Sequence, residues 1–282
     1  MNKTIRYCLY GLATTICIIA IFMGVYDQFF KKQVDTEDSN ILGSINTVEQ
    51  TEVKDSFKDL FTNQFFKENY DDSSIKKTDS TKELVYTYTT AENSAATLKT
   101  NVDGKYDITA YIPIININND IVNGYNMNTQ NVFVSKINDI MSNSKQNTVC
   151  NISYTSYITN NILSVAIMAS LKEGNSAQRV IVQTYNYNLT TGQDVKIGDI
   201  LTLRDLDKTA VNKKINSVIT KAANDAKSMS ESGYNIYQRE VTSDLYDVSS
   251  VNNFIQGPNG ELYIIYAYGN TSFTSEMDVI EI

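Results

Sequence analysis

Residues Val149–Leu189 read VCNISYTSYITNNILSVAIMASLKEGNSAQRVIVQTYNYNL, and their pattern decides the fold. Three strand-length runs, Val149–Ile158, Ile162–Lys172 and Gln178–Leu189, are rich in Val, Ile, Thr and Tyr, side chains that suit a pleated, half-buried surface. Asn160-Asn161 separates the first two runs. Glu173-Gly174-Asn175-Ser176 separates the next two, and both links are made of turn-forming residues. Links this short join antiparallel neighbours.

The strand pattern continues outward on both sides. Upstream, the run ELVYTYTT from Glu83 alternates, and Thr97–Val102 and Lys105–Pro113 flank Asp103-Gly104, a hairpin signal. Between these and the central runs, Asp120–Ser142 carries Ile121, Val122, Tyr125, Val132, Phe133, Ile137, Ile140 and Met141 at helical spacing. Downstream, Thr190-Thr191-Gly192 makes a turn before Asp194–Ile197. Asp205–Lys227 then shows one apolar stripe through Leu206, Ala210, Ile215, Val218, Ile219, Ala222 and Ala226. Strands are expected again at Val251–Gln256, Glu261–Tyr268 and Met277–Ile282, the first two joined by Pro258-Asn259-Gly260. Hairpins interrupted by two main helices predict an α+β domain with antiparallel sheets, not a parallel doubly wound one.

The N-terminal part is of another kind. Tyr7–Tyr26 (YCLYGLATTICIIAIFMGVY) is an uncharged run of twenty residues, enough for a helix to cross roughly 30 Å of hydrocarbon. Its apolar side chains include Leu9, Leu12, Ile16, Ile18, Ile19, Ile21, Phe22 and Val25. The run is longer than a signal-peptide core, and Phe22 stands where a cleavage site wants a small residue, so a retained single-pass anchor is favoured over a cleaved leader. Lys3 and Arg6 place the N-terminus inside, and the bulk of the chain is expected outside the cytoplasm. The organisation expected is a short tail at 1–6, the anchor at 7–26, a stalk at 27–82 and an extracytoplasmic domain at 83–282. Within the stalk, Val53, Phe57, Leu60, Phe61 and Phe65 fit an amphipathic helix over Thr51–Asn69.

Composition removes several kinds of chemistry. Among 282 residues there is no His, which excludes a Ser-His-Asp triad, an H-E-x-x-H zinc site and a His proton relay. Three Cys cannot build a Cys₄ zinc site, and only Cys150 lies beyond the expected anchor, so the outer part has no internal disulfide. Net charge is −8; setting aside Lys3, Arg6, Lys31, Lys32 and Asp27 leaves 20 basic and 31 acidic residues, or −11, which argues against a nucleic-acid partner. No cofactor is expected.

Few residues form a catalytic pattern. Ser-x-x-Lys occurs at Ser73–Lys76 and Ser142–Lys145 without the companion motifs of penicillin-recognising enzymes. Asp71, Asp72, Asp199, Asp205 and Asp207 are candidate carboxylates for glycoside hydrolysis, but nothing in the sequence pairs them. Asp205 and Asp207 have a sufficient explanation at the start of a helix. Cys150 reads as a small buried hydrophobe.

The succession of segments resembles a known domain. Tyr111-Ile-Pro-Ile-Ile-Asn-Ile-Asn118, a long helix and Ile162-Leu-Ser-Val165 are followed by Tyr185-Asn-Tyr-Asn-Leu-Thr-Thr-Gly192 and Ile197-Gly-Asp-Ile-Leu201. A helix and Gly260-Glu-Leu-Tyr-Ile-Ile-Tyr-Ala-Tyr268 close the series. Over roughly Lys105 to Ile282 this is similar to the extracytoplasmic domain of RsiV-type anti-sigma factors, also found in PdaC-type peptidoglycan deacetylases. The resemblance implies an α+β sensing or binding domain, since the RsiV outer domain binds lysozyme and so triggers its own proteolysis. The expectation is of that domain alone, with neither a sigma-binding segment before the anchor nor a deacetylase module. Where the family often carries Gly-Gly-Ala-His, this chain has Glu173-Gly-Asn-Ser-Ala-Gln178, which makes Glu173, Asn175 and Gln178 the candidate partner-binding residues.

The expectation is therefore a non-enzymatic, membrane-anchored binding domain of a bacterial envelope protein. Its partners would be the bilayer and a protein or glycan ligand at the cell wall, lysozyme included. The competing readings are a carboxylate hydrolase acting on wall polymers and a scaffold subunit of a membrane complex.

Overall fold

The computed structural model describes residues 41–67, 69–88, 98–144 and 146–282. The expected anchor, Tyr7–Tyr26, lies outside them, and none of the described helices is long and apolar enough to cross a membrane. The chain divides at Gln50. Of the first unit, Met1–Glu49, the described part is the start of helix α1 (Ile41–Asp59); the second unit is Gln50–Ile282.

The sequence becomes a large mixed sheet and a small antiparallel one. The large sheet runs β3 (Leu98–Val102), β4 (Tyr106–Ala110), β6 (Thr148–Thr159), β7 (Ile162–Glu173), β8 (Arg179–Asn188) and β9 (Gln193–Asp194), with β1 (Phe65–Phe66) beside β6. The small one runs β10 (Phe254–Gln256), β11 (Leu262–Ala267), β12 (Met277–Glu281); β2 (Val85–Thr87) pairs β5 (Pro113–Ile115) separately. Asn160 and Asn161 both have positive φ, 53° and 60°, as a two-residue hairpin of this twist requires.

Why β7 reads as an almost unbroken apolar run is visible in what covers it. Val165 and Ile167 face one core together with Val122, Phe133, Ile137 and Ile140. Those four belong to α2 (Asp120–Thr129), a π-helical turn at Gln130–Val134 and α3 (Ser135–Asn143). Ala166 points the other way, to Val182, Ile255, Ile265 and Val279. The outer face of the small sheet, with Ile264 and Ile280, meets α4 (Ile197–Leu203) and α5 (Lys208–Glu231) through Ile200, Ile215 and Ile219. The order of layers is helices, large sheet, small sheet, helices, so strands in the middle are buried on both faces. Polar stitches fix the sheets to each other: Ser164 Oγ donates to Asn186 Oδ1 (2.7 Å), and Asn186 Nδ2 to the Phe254 carbonyl (2.9 Å).

Several expectations are corrected. The helix expected over Thr51–Asn69 is Ile41–Asp59; the chain then turns at Asn63 (φ 60°), whose side-chain carbonyl accepts the Tyr154 amide while its own amide donates to the Tyr154 carbonyl. Phe65 leaves the helical stripe and pairs in parallel with Ser156. Residues read as stalk thus enter the core: Phe57 is fully buried, 5.7 Å from the Tyr263 ring, an environment that contributes about 1.5–3 kcal/mol for such a side chain. The large sheet is not purely antiparallel, because β4 runs parallel to β6; the long excursion through β5, α2 and α3 permits that crossover. Ile197-Gly-Asp-Ile-Leu201 is helical, begun by the Lys196 amide donating to Asp199 Oδ2 (2.8 Å). Asp205 has positive φ, and helix α5 starts only after Asp207, which accepts the Ala210 amide at 2.7 Å.

Candidate functional site

Strand β12 reads Met-Asp-Val-Ile-Glu, and alternation turns Asp278 inward with Ile280. A carboxylate there must be compensated. Arg239 supplies two donors, Nε to Oδ2 at 2.6 Å and Nη2 to Oδ1 at 3.0 Å; the Tyr268 hydroxyl donates to Oδ2 at 2.7 Å and Lys54 Nζ to Oδ1 at 3.3 Å. Burial pushes the Asp278 carboxyl up, but the Arg239 hydrogen bonds and charge, with Lys54, outweigh it and hold it below the usual carboxylate range. Tyr268 is pushed above the usual phenol range, first by burial and then by the Asp278 charge.

This pair pins two irregular segments. Arg239 Nη1 donates to the Tyr237 carbonyl (3.2 Å), and the Tyr237 ring stacks on Tyr268 with centroids 4.3 Å apart. Arg239 Nη2 also reaches Glu276 Oε2 at 3.3 Å. The loop between Tyr268 and Glu276 is fastened to the edge of β8: Asn270 Oδ1 accepts the Val182 amide (3.0 Å) and its Nδ2 donates to the Val182 carbonyl (2.9 Å). Thr274 contributes a carbonyl to the Val180 amide (3.1 Å), and Arg179 Nη2 donates to the Asn270 carbonyl (2.9 Å). Only glycine fits at Gly269, since a Cβ would lie 1.8 Å from the Val180 carbonyl oxygen.

Between these segments is a cleft of ≈260 Å³, walled by Ala177–Gln178 just before β8, by Asn235–Tyr237 and by Ser272–Glu276. Phe273 stands at its lip, 63% exposed, with the Arg179 guanidinium 5.5 Å from the ring centre. Among the described residues, the one carboxylate of the wall is Glu276.

Of the three expected binding residues, the structure brings Gln178 to the cleft, where its Nε2 donates to Ser170 Oγ at 2.6 Å. Glu173 is bound to Lys136 Nζ at 2.8 Å, and Asn175 is exposed in the turn, neither lining the cleft. The candidate carboxylates stay apart from it. Asp71 accepts the Ser73 amide, Asp72 is paired with Lys67 (3.2 Å) and Lys77 (3.1 Å), and Asp199 and Asp207 cap helices. Ser73 and Lys76 lie in a turn region, and Lys145 lies outside the described residues. Cys150 is buried, its thiol pushed up to about 11 by burial. Among the described residues no three His, Cys, Asp or Glu side chains are grouped as metal ligands would be.

No protein-family model matches the chain, and no curated protein does. Solved structures that it resembles include two DUF3298 family proteins. One, from Pseudomonas aeruginosa PAO1, aligns over 66% of this chain and 88% of its own at a TM-score of 0.38 and 9% identity. A member of the same family from Bacteroides fragilis NCTC 9343 aligns over 66% and 88% at 0.32 and 10% identity.

Proposed function

We propose that this chain is the extracytoplasmic binding part of a bacterial envelope protein, tethered through Tyr7–Tyr26, and that its ligand is wall material or a wall-associated protein such as lysozyme. The observation that carries the reading is the cleft at Gln178, Tyr237 and Phe273, whose walls are loops but whose frame is a buried ion pair that ties one wall to a strand. Binding sites of this kind put adaptable loop side chains on a rigid support. The acidic balance, −8 for the chain, supports steering of a basic protein partner. Binding is favoured over hydrolysis because glycosidases need two opposed carboxylates, whereas the cleft wall offers Glu276 alone and Asp278 behind it is held by Arg239.

The test uses the full chain in lipid nanodiscs, presented with hen lysozyme and with intact peptidoglycan at low and high salt. Binding of either, weaker for lysozyme as salt rises, is expected. Absence of binding to both at low salt overturns the reading.

A further inference from the structure

We infer that the cleft is a carbohydrate subsite, taking a neutral pyranose unit against Phe273 and Tyr237; this rests on the cleft being the binding site. The features of its wall select that chemistry by elimination. An anion would need a free cation, but Arg179 is engaged with the Gly269 and Asn270 carbonyls, and Arg239 with Asp278 and Glu276. An organic cation would need an uncompensated carboxylate, and Glu276 already accepts from Arg239. An extended peptide would need an open strand edge, yet the β8 edge beside the cleft is closed by Asn270 on Val182 and by Thr274 on Val180.

What the cleft offers is aromatic surface next to uncharged hydrogen-bonding groups. Phe273 stands exposed at the lip, and Tyr237 is fixed by its stack on Tyr268, so the Tyr237 ring loses little freedom when covered. Gln178, Asn235, Ser272 and Ser275 provide amides and hydroxyls around them. A sugar ring presents the same division, an apolar C–H face and a rim of hydroxyls. The ≈260 Å³ is below the roughly 300–1,000 Å³ of drug-sized sites and suits one ring at the end or side of a longer glycan.

The experiment measures binding of the full chain in nanodiscs to glycan strands made only of N-acetylglucosamine, the neutral sugar of peptidoglycan, and separately to the free stem peptide. Phe273→Ala and Gln178→Ala both change exposed side chains, so the fold should persist, which circular dichroism verifies. The expected result is glycan binding that salt changes little, no stem-peptide binding, and about tenfold weaker affinity in each variant. Stem-peptide binding lost in these variants overturns the assignment, as does glycan binding that neither variant moves. If glycan strands fail while lysozyme or intact peptidoglycan still binds, the sugar assignment falls and the binding-domain reading survives; if nothing binds, both fall.

Discussion

Arg239 and Asp278 are joined by two hydrogen bonds, 2.6 and 3.0 Å, with side chains only 3% and 1% exposed. One comes from an irregular stretch without regular secondary structure and the other from the last strand, so the pair ties a cleft wall to the small sheet. A buried pair is not by itself evidence of extra stability, but removing one partner leaves an uncompensated charge. Arg239→Met and Asp278→Leu should each cost about 3–5 kcal/mol in urea unfolding, and the double variant far less than the sum. Additive losses would show that the two do not act as a pair.

The same pair sets an acid limit. Because the folded Asp278 carboxyl is held below its ordinary value, its contribution is present above about pH 4, the unfolded carboxyl range, and is lost as pH falls through the folded value. Stability measured between about pH 5 and pH 2 should therefore fall more steeply in the native chain than in Asp278→Asn. Parallel curves would contradict the assignment.

How far the sequence anticipates this differs by element. The runs from Val149 to Leu189 are legible because Asn160-Asn161 and Gly174 force turns and the strands between are long. Asp278 carries a signal too, as the one charge within the buried run Met277–Ile280. Arg239, Tyr237 and Phe273 carry none: they belong to polar or mixed loops, and only tertiary contacts bring them together. Phe65 is misleading in the sequence because a periodicity of 3.6 continues by chance past Asp59, and the left-handed Asn63 that breaks it is one Asn among many.

Two glycines should respond in opposite directions to alanine. Gly124 lies in α2 with nothing within 4 Å of a new Cβ, so Gly124→Ala should stabilise by about 0.5–1 kcal/mol through reduced chain entropy. At Gly269 the Cβ would press on backbone atoms of Val180 and Thr274, and Gly269→Ala should cost about 1–3 kcal/mol while loosening the cleft loop. Thermal melts of both variants check this. Equal effects would mean that the loop does not hold the position described.

Cys150 should behave as core rather than as a reactive thiol. Its side chain is buried and burial raises its pKa to about 11, so almost no thiolate exists near neutrality. In a Cys8→Ser, Cys17→Ser background, a maleimide should label the native chain slowly and the urea-unfolded chain at once. Rapid native labelling would place the thiol at the surface.

Phe57 distinguishes a stalk from a core. It is fully buried, packed edge-on to Phe61 at 5.1 Å and against Tyr263 at 5.7 Å, in the cluster that also holds Ile265 and Val279. On a solvated spacer helix, Phe57→Ala would change stability by no more than about 0.5 kcal/mol, the range of ordinary surface substitutions. In the observed packing it should cost about 3–5 kcal/mol, because removing the ring leaves a cavity in that cluster. A neighbouring substitution sharpens the comparison: Phe61→Ala, at a partly buried site in the same cluster, should cost less. Denaturant midpoints for both variants at unchanged m-value decide it, and a near-neutral Phe57→Ala would return this segment to the stalk.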